Sequence, residues 1–277
     1  MNSNQMLLSE EDWKYFLSFG SAKRYVEYML NLITNKNFLT EKKRFRKLIF
    51  WYADSGRGNI LKNIRVLSPT STLDPPLYRA RIYEAAKDSD VNKDKSNTPF
   101  KGYNQKESFV PPHGNASEGR ANSANIVYLY AANDVYTSVI ETAKSYTDLM
   151  SVATIHVKKH LFILDFSIFS SCEDAGDRRK TVWIENFALE IANLYQTPAE
   201  TGSSIYLMCQ LISEIAIKLN CQGVQFYSSK AEKVHELKTS INYVIFDYGA
   251  CEAVSSELML AGDVIENWRT LNGTSEI

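Results

Sequence analysis

The chain lacks the short signatures that most often assign a catalytic or binding site at sight. It has no G-x-x-x-x-G-K-[ST] loop, no G-x-G-x-x-G fingerprint, no G-x-S-x-G elbow and no zinc-ligand spacing. Charge of one sign is also missing. Thirty-one Lys and Arg offset 32 Asp and Glu, a net charge of −1, so no global basic field points to nucleic acid or an anionic membrane. No apolar run reaches the ~18 residues of a membrane span. Cysteine is scarce: Cys172, Cys209, Cys221 and Cys251 lie far apart with no C-x-x-C pair. No signal peptide opens the chain, so buried free thiols in a reducing, cytoplasmic setting are expected. The four histidines, His113, His156, His160 and His235, are scattered. His156 and His160 are four apart beside a strand, where such residues do not converge, so no metal site is expected.

What is there is an ordinary folded composition, 44% hydrophobic and 23% charged over 277 residues. Residues 9–52 carry helical periodicity. Ser9 and Asp12 resemble a capping box, and Trp13, Phe16, Leu17, then Tyr25, Met29, Leu32, Ile33, then Phe45, Leu48, Ile49, Tyr52 recur as buried stripes. Asp54-Ser-Gly-Arg-Gly58 stops the last of these helices. The basic cluster Lys42, Lys43, Arg44, Arg46, Lys47 reads as a solvated helix face. Pro75-Pro76 marks a boundary, and Leu77–Tyr83 alternates as a strand with Arg79 and Arg81 on one face, Tyr78 and Ile82 on the other. Residues 87–108 are polar and read as a long loop, closed by Pro111-Pro112-His113-Gly114. Strands are expected at Ile126–Ala131, Val152–Val157, Leu161–Asp165, Val224–Tyr227 and Tyr243–Phe246, the last two being the final strong ones. Helices are expected at Val182–Tyr195 and Ser204–Leu219. This order predicts an α+β fold, with a helical N-terminal module over 1–70 and a second domain over 71–277.

The 24 residues from Glu118 to Glu141 carry the sharpest pattern: a turn with Gly119-Arg120, a strand with Tyr128 and Tyr130, and a helix opened by Asn133 or Asp134 that bears Glu141. Arginine offers a permanently charged planar fork suited to phosphate oxygens. Tyrosine at a strand end stacks on a flat heterocycle and donates a hydrogen bond. Glu141 adjoins the apolar Val135, Val139 and Ile140, and a carboxylate at a core boundary either meets a cation or serves a site. Ser228, at a strand end, suits a ribose hydroxyl or a phosphate. Plainer readings stand beside each: a surface salt-bridge arginine, core aromatics in a chain with 16 tyrosines, a turn serine.

Together these residues resemble the RES-domain family, named for its Arg, Glu and Ser. The likeness spans about 75–250. Its specific part is Gly119-Arg120, ten residues on to Tyr130 within Leu-Tyr-Ala, and eleven more to Glu141. Leu77-Tyr78-Arg79 resembles the family's opening strand, and Phe226-Tyr227-Ser228 with Asn242-Tyr243-Val244 its closing segment, with the choice between Ser228 and Ser229 open. The resemblance implies an ADP-ribosyltransferase-like mixed sheet with flanking helices, NAD as substrate, and a toxin neutralised by a DNA-binding antitoxin. It places Glu141, Tyr130 and Arg79 in the catalytic set and Arg120, Ser228, Asn242 and Tyr128 against the substrate. From the scattered histidines and the balanced charge, no metal and no direct contact with nucleic acid are expected. The helical module and the 87–108 loop exceed a minimal toxin, so an antitoxin or a regulatory protein is the implied partner.

The chemistry is coherent on its own terms. Nicotinamide leaves NAD neutral and needs no general acid. The demand is to stabilise a ribose cation, which a carboxylate does in glycoside hydrolysis. Two other outcomes share the pocket or do without it: transfer of ADP-ribose to a macromolecule, and a non-catalytic binding module. The acceptor, whether water, phosphate or a macromolecule, is left open.

Overall fold

The computed structural model describes residues 8–35, 38–54, 63–84, 102–111, 114, 116–167, 177–228, 230 and 240–272. They form two contact units that alternate along the chain. Residues 1–67, 113–126 and 161–226 make the first, and 68–112, 127–160 and 227–277 the second.

The first unit holds α1 (Glu10–Ser18), α2 (Ala22–Leu32), α3 (Phe38–Asp54), β1 (Ile64–Leu67), β5 (Leu161–Asp165), α6 (Arg178–Gln196), α7 (Ser204–Lys218) and β6 (Gly223–Tyr227). Ser9 and Asp12 close the capping box of α1, so its entry is fixed by local chemistry. Trp13, Phe16, Tyr25, Met29, Phe45, Leu48, Ile49 and Tyr52 are buried as their spacing requires. They meet Trp183 and Phe187 of α6, whose rings stack at 5.7 Å. Strand β5 pairs antiparallel with β1 and parallel with β6. A parallel pair needs a long crossover, and α6 and α7 provide it. The basic cluster on α3 is partly ion-paired, Lys42 to Glu214 and Lys47 to Asp12.

The second unit is built on antiparallel strands: β2 (Leu77–Ile82), β3 (Leu129–Ala132), β4 (Leu149–Val157), β7 (Ile241–Ile245) and β8 (Cys251–Leu260), in the order β7-β3-β2-β4-β8. Its helices are α4 (Gln105–Phe109), α5 (Val135–Thr142) and α8 (Ala261–Asn272). Ala80, Met150 and Val152 pack with Val139 of α5 and Ala261 of α8, and Tyr78 and Ile82 join them. The pleat therefore turns Arg79 and Arg81 to the other face, as the alternation predicted. There Arg81 donates to the Glu107 carbonyl and lies over the Tyr103 ring. Gly102, at φ +76°, lets the chain pass within reach of Ser151, where an added Cβ would lie 2.6 Å from Oγ.

The mixed α and β architecture with flanking helices agrees with expectation, and four local readings are corrected. Residues 105–109, expected within a loop, form α4. Asn104 and Glu107 make a capping box that starts it, a signal too short to show as periodicity. The strand around the tyrosines begins at Leu129 rather than Ile126, so Tyr128 precedes it. Tyr243–Phe246 is not the last strand, because β8 follows, and α8 follows that. Strand β1 also lay outside the expected set. Residues 55–58 of the expected helix stop, the closing Pro112-His113, and all of 87–101 fall outside the described residues, as do Cys172, His235 and Ser229.

Candidate active site

Glu141 sits in the last turn of α5. Asp134, not Asn133, caps that helix: its carboxylate accepts from the Thr137 N–H at 2.7 Å and from the Thr137 hydroxyl at 2.8 Å. One carboxylate oxygen of Glu141, Oε1, accepts from Ser228 Oγ at 2.6 Å and from Asn242 Nδ2 at 2.8 Å. Three separate pieces of chain thus converge on one atom: the end of α5, the residue after β6, and the second residue of β7. The other oxygen, Oε2, has no hydrogen-bond partner among the described residues. Bonds to an ionised acceptor are short and strong, so Oε1 is a fixed point and Oε2 the open end. Of the two candidate serines, Ser228 is the one that meets Glu141.

Backbone bonds hold these donors. The Ser228 N–H donates to the Ser240 carbonyl at 2.9 Å. Its hydroxyl also accepts from the Lys230 N–H at 3.2 Å. Asn242 pairs with Ala132 across the β3–β7 ladder. Lys230, which the sequence reading did not single out, donates from Nζ to the Glu141 carbonyl at 2.8 Å, a cation at a helix C-terminus. A lone exposed lysine after a strand carries no local pattern that would mark it.

Arg79 lies on β2, opposite Ala153 of β4. The residue as a whole is half-buried, yet its Nη1 is sealed from solvent with no hydrogen-bond partner among the described residues. Burial pushes its pKa down to about 10, the neighbouring Arg81 charge adds to this, and the Tyr130 phenol opposes it. A guanidinium in that position is still charged at neutral pH and wants an anion. Tyr130, half-buried, lies on β3, the strand next to the β2 that carries Arg79. Tyr128 packs its ring against Phe246 at 4.8 Å.

Arg120 belongs to the first unit and is differently engaged. Its Nη1 donates to the carbonyls of Leu194 and Thr197, both at 2.7 Å, and the guanidinium lies over the Tyr206 ring. It covers the C-terminal end of α6, where orphan carbonyls and the helix dipole favour a cation. The turn around it is held by Gln210 of α7, which donates to Glu118 at 2.8 Å and to the carbonyls of Gly119 and Asn122. Asn122 adds three bonds of its own to nearby carbonyls.

The three described cysteines are buried and free, and burial pushes each thiol up to about 12, so none is a poised nucleophile. Among the described residues no three His, Cys, Asp or Glu side chains are grouped to hold a metal. No described helix is long and apolar enough to cross a membrane.

No curated protein sequence matches the chain. Among solved structures it is similar to the crystal structure of the M. tuberculosis MbcT–MbcA toxin–antitoxin complex, with 14% identity, a TM-score of 0.38, and coverage of 69% of this chain and 87% of that one. The model of one family, described as the RES domain, matches residues 77–265, which include every residue of the Glu141 cluster as well as Arg79, Arg120 and both tyrosines. The chain belongs to the RES-domain family.

Proposed function

We propose that this protein degrades NAD by breaking the bond between nicotinamide and ribose, on an ADP-ribosyltransferase-like sheet. The observation that carries the reading is the Glu141 carboxylate, with Oε1 clamped by two donors and Oε2 left open. Family membership supports an NAD-related role in broad terms.

In this reading Oε2 accepts from a ribose hydroxyl and faces the cation that forms as nicotinamide departs. The C–N bonding pair returns to the pyridinium nitrogen and cancels its charge, so nicotinamide leaves neutral and the positive charge stays on the ribose. What remains is an oxocarbenium-like sugar, and a preorganised negative charge beside it lowers the barrier. Ser228 and Asn242 keep that charge in place, which removes reorganisation from the reaction step. Arg79 takes a phosphate oxygen of the dinucleotide on Nη1, the anion that its buried guanidinium lacks. Tyr130, beside it, orients the nicotinamide ribose. Arg120 is assigned to holding its turn rather than to phosphate, because its Nη1 already bonds two carbonyls at the end of α6. The ribosyl cation is then captured by water or phosphate. An antitoxin or regulatory protein as partner, and a toxin or defence role, belong to the same proposal.

The test is NAD consumption by the purified chain with product analysis. Free nicotinamide and a small ADP-ribosyl product are expected, and dependence on added phosphate separates the two acceptors. Label appearing on a macromolecule would move the assignment to ADP-ribosyl transfer. Glu141→Gln should lower turnover by about 100-fold or more while keeping the fold. A folded Glu141→Gln variant at parental turnover rejects the mechanism.

A further inference from the structure

We infer that Asn133 is a positioning residue for the Glu141 carboxylate, acting through the first pair of the β3–β7 ladder. This rests on the assignment of Glu141 above.

The ladder runs Leu129↔Ile245, Tyr130↔Val244, Ala131↔Tyr243, Ala132↔Asn242. The next pair would be Asn133 with Ile241. In a regular hydrogen-bonded antiparallel pair the two residues exchange both N–H···O=C bonds. Here one is made: the Asn133 N–H donates to the Ile241 carbonyl at 3.0 Å. The return bond is not made to the Asn133 carbonyl. The Ile241 N–H donates instead to Asn133 Oδ1, at 2.8 Å.

The chain at this point needs two incompatible things. It must stay in the sheet to pair with Ile241, and it must leave the sheet at once to begin α5. Asp134 is already the N-cap, at φ −149° and ψ 163°, and α5 starts at Val135. The Asn133 side chain resolves the conflict by standing in for a main-chain acceptor. The ladder thus reaches the residue immediately before Asn242 while the backbone turns toward the helix that carries Glu141. The dipeptide sets both ends of one hydrogen bond: Asn133 fixes the strand bearing the donor, Asp134 the helix bearing the acceptor. Removing the side-chain oxygen leaves the Ile241 N–H without its acceptor and frees the start of β7, so the Asn242 amide is no longer held to Oε1.

The experiment compares Asn133→Ala, Asn133→Asp and Glu141→Gln in the full chain by steady-state NAD cleavage. Asn133→Ala should lower kcat by about tenfold to 100-fold, the range a displaced catalytic group produces, with KM for NAD within about twofold. Asn133→Asp keeps an acceptor oxygen and should recover most of that loss. A folded Asn133→Ala variant with parental kcat, or one in which only KM changes, overturns the inference. So does an Asn133→Asp variant no better than Asn133→Ala. Hydrogen exchange on the parent chain gives an answer even if Asn133→Ala does not fold. The Ile241 amide should exchange as slowly as the amide of Tyr243, in the next hydrogen-bonded pair of the ladder, and rapid exchange overturns the inference. If Glu141→Gln itself retains activity, it is the mechanism that fails, whatever Asn133 does.

Discussion

Glu141 and Arg120 lie 21 positions apart in one stretch of chain, and both look like site residues by type and spacing. Their surroundings differ in kind. Arg120 turns Nη1 to two main-chain carbonyls at the end of a helix and adds an aromatic face. Every part of that environment is permanent protein, and it occupies Nη1 with two acceptors. Glu141 receives two donors on one oxygen and keeps the other open among the described residues. A charged side chain announces function less by being charged than by being incompletely answered. Arg79 teaches the same lesson from the cationic side, with a sealed Nη1 that meets no acceptor among the described residues.

The largest effect that would break this comparison is at the clamp. Removing both donors, Ser228→Ala with Asn242→Ala, should lower kcat by roughly 10–100-fold, because the carboxylate then samples orientations that do not face the sugar. The two single variants should each cost less than the pair, and the double should not equal their product, since both act on one atom. Strict multiplicativity in kcat would mean the two donors work independently and Oε1 is not a shared anchor.

Arg79→Met sharpens the contrast next. The folded-state pKa of Arg79 lies below its ordinary value of 12.5, at about 10, so the folded chain holds that proton less tightly than the unfolded chain does. The resulting penalty is full at any pH below about 10 and is relieved only as pH rises toward 12.5. Methionine of similar length removes it. The variant should gain stability, roughly 1–2 kcal/mol in a denaturant titration, while losing about tenfold in NAD affinity. A variant that loses stability and keeps its affinity would show that Arg79 is structural.

Much of the frame was legible in the residues. The capping box at Ser9 and the aromatic stripe of α1 to α3 are local facts, and helix periodicity exposes them. A cap at Asn133 or Asp134 was legible for the same reason, and the structure assigns it to Asp134. Strand β8 was not. It lies at the end of the strand order, its ten residues are mostly half-exposed, and the register slips between Thr154 and Ile155 of its partner, so the period of two is interrupted. Helix α4 is five residues long and cannot display a 3.6-residue repeat. In the site, Glu141 beside its apolar stripe and a serine at the end of β6 could be read directly, but the roles of Ser228 and Asn242 at Glu141 came only through likeness to a family. Nothing local joins residues 87 and 101 positions away from Glu141, the separations across which those two bonds form. The orphaned Nη1 of Arg79 is likewise a property of packing, invisible to any pattern along the chain.

The smallest effect concerns Arg120, and it separates the two roles that residue type allows. If its work is to cover the end of α6, Arg120→Ala should lower stability by roughly 1–2 kcal/mol, a shift of a few degrees in melting temperature. KM for NAD should stay within about twofold, because the carbonyls it leaves behind belong to Leu194 and Thr197 and not to the site of Glu141. Arg120→Lys should restore part of the stability, since a lysine keeps the charge but lacks the planar guanidinium that lies over the Tyr206 ring. The measurement is a thermal melt paired with NAD kinetics on the same preparation. A tenfold rise in KM with the melting temperature unmoved would return Arg120 to the phosphate role, and the contrast drawn here between a satisfied and an unsatisfied charge would lose one of its two sides.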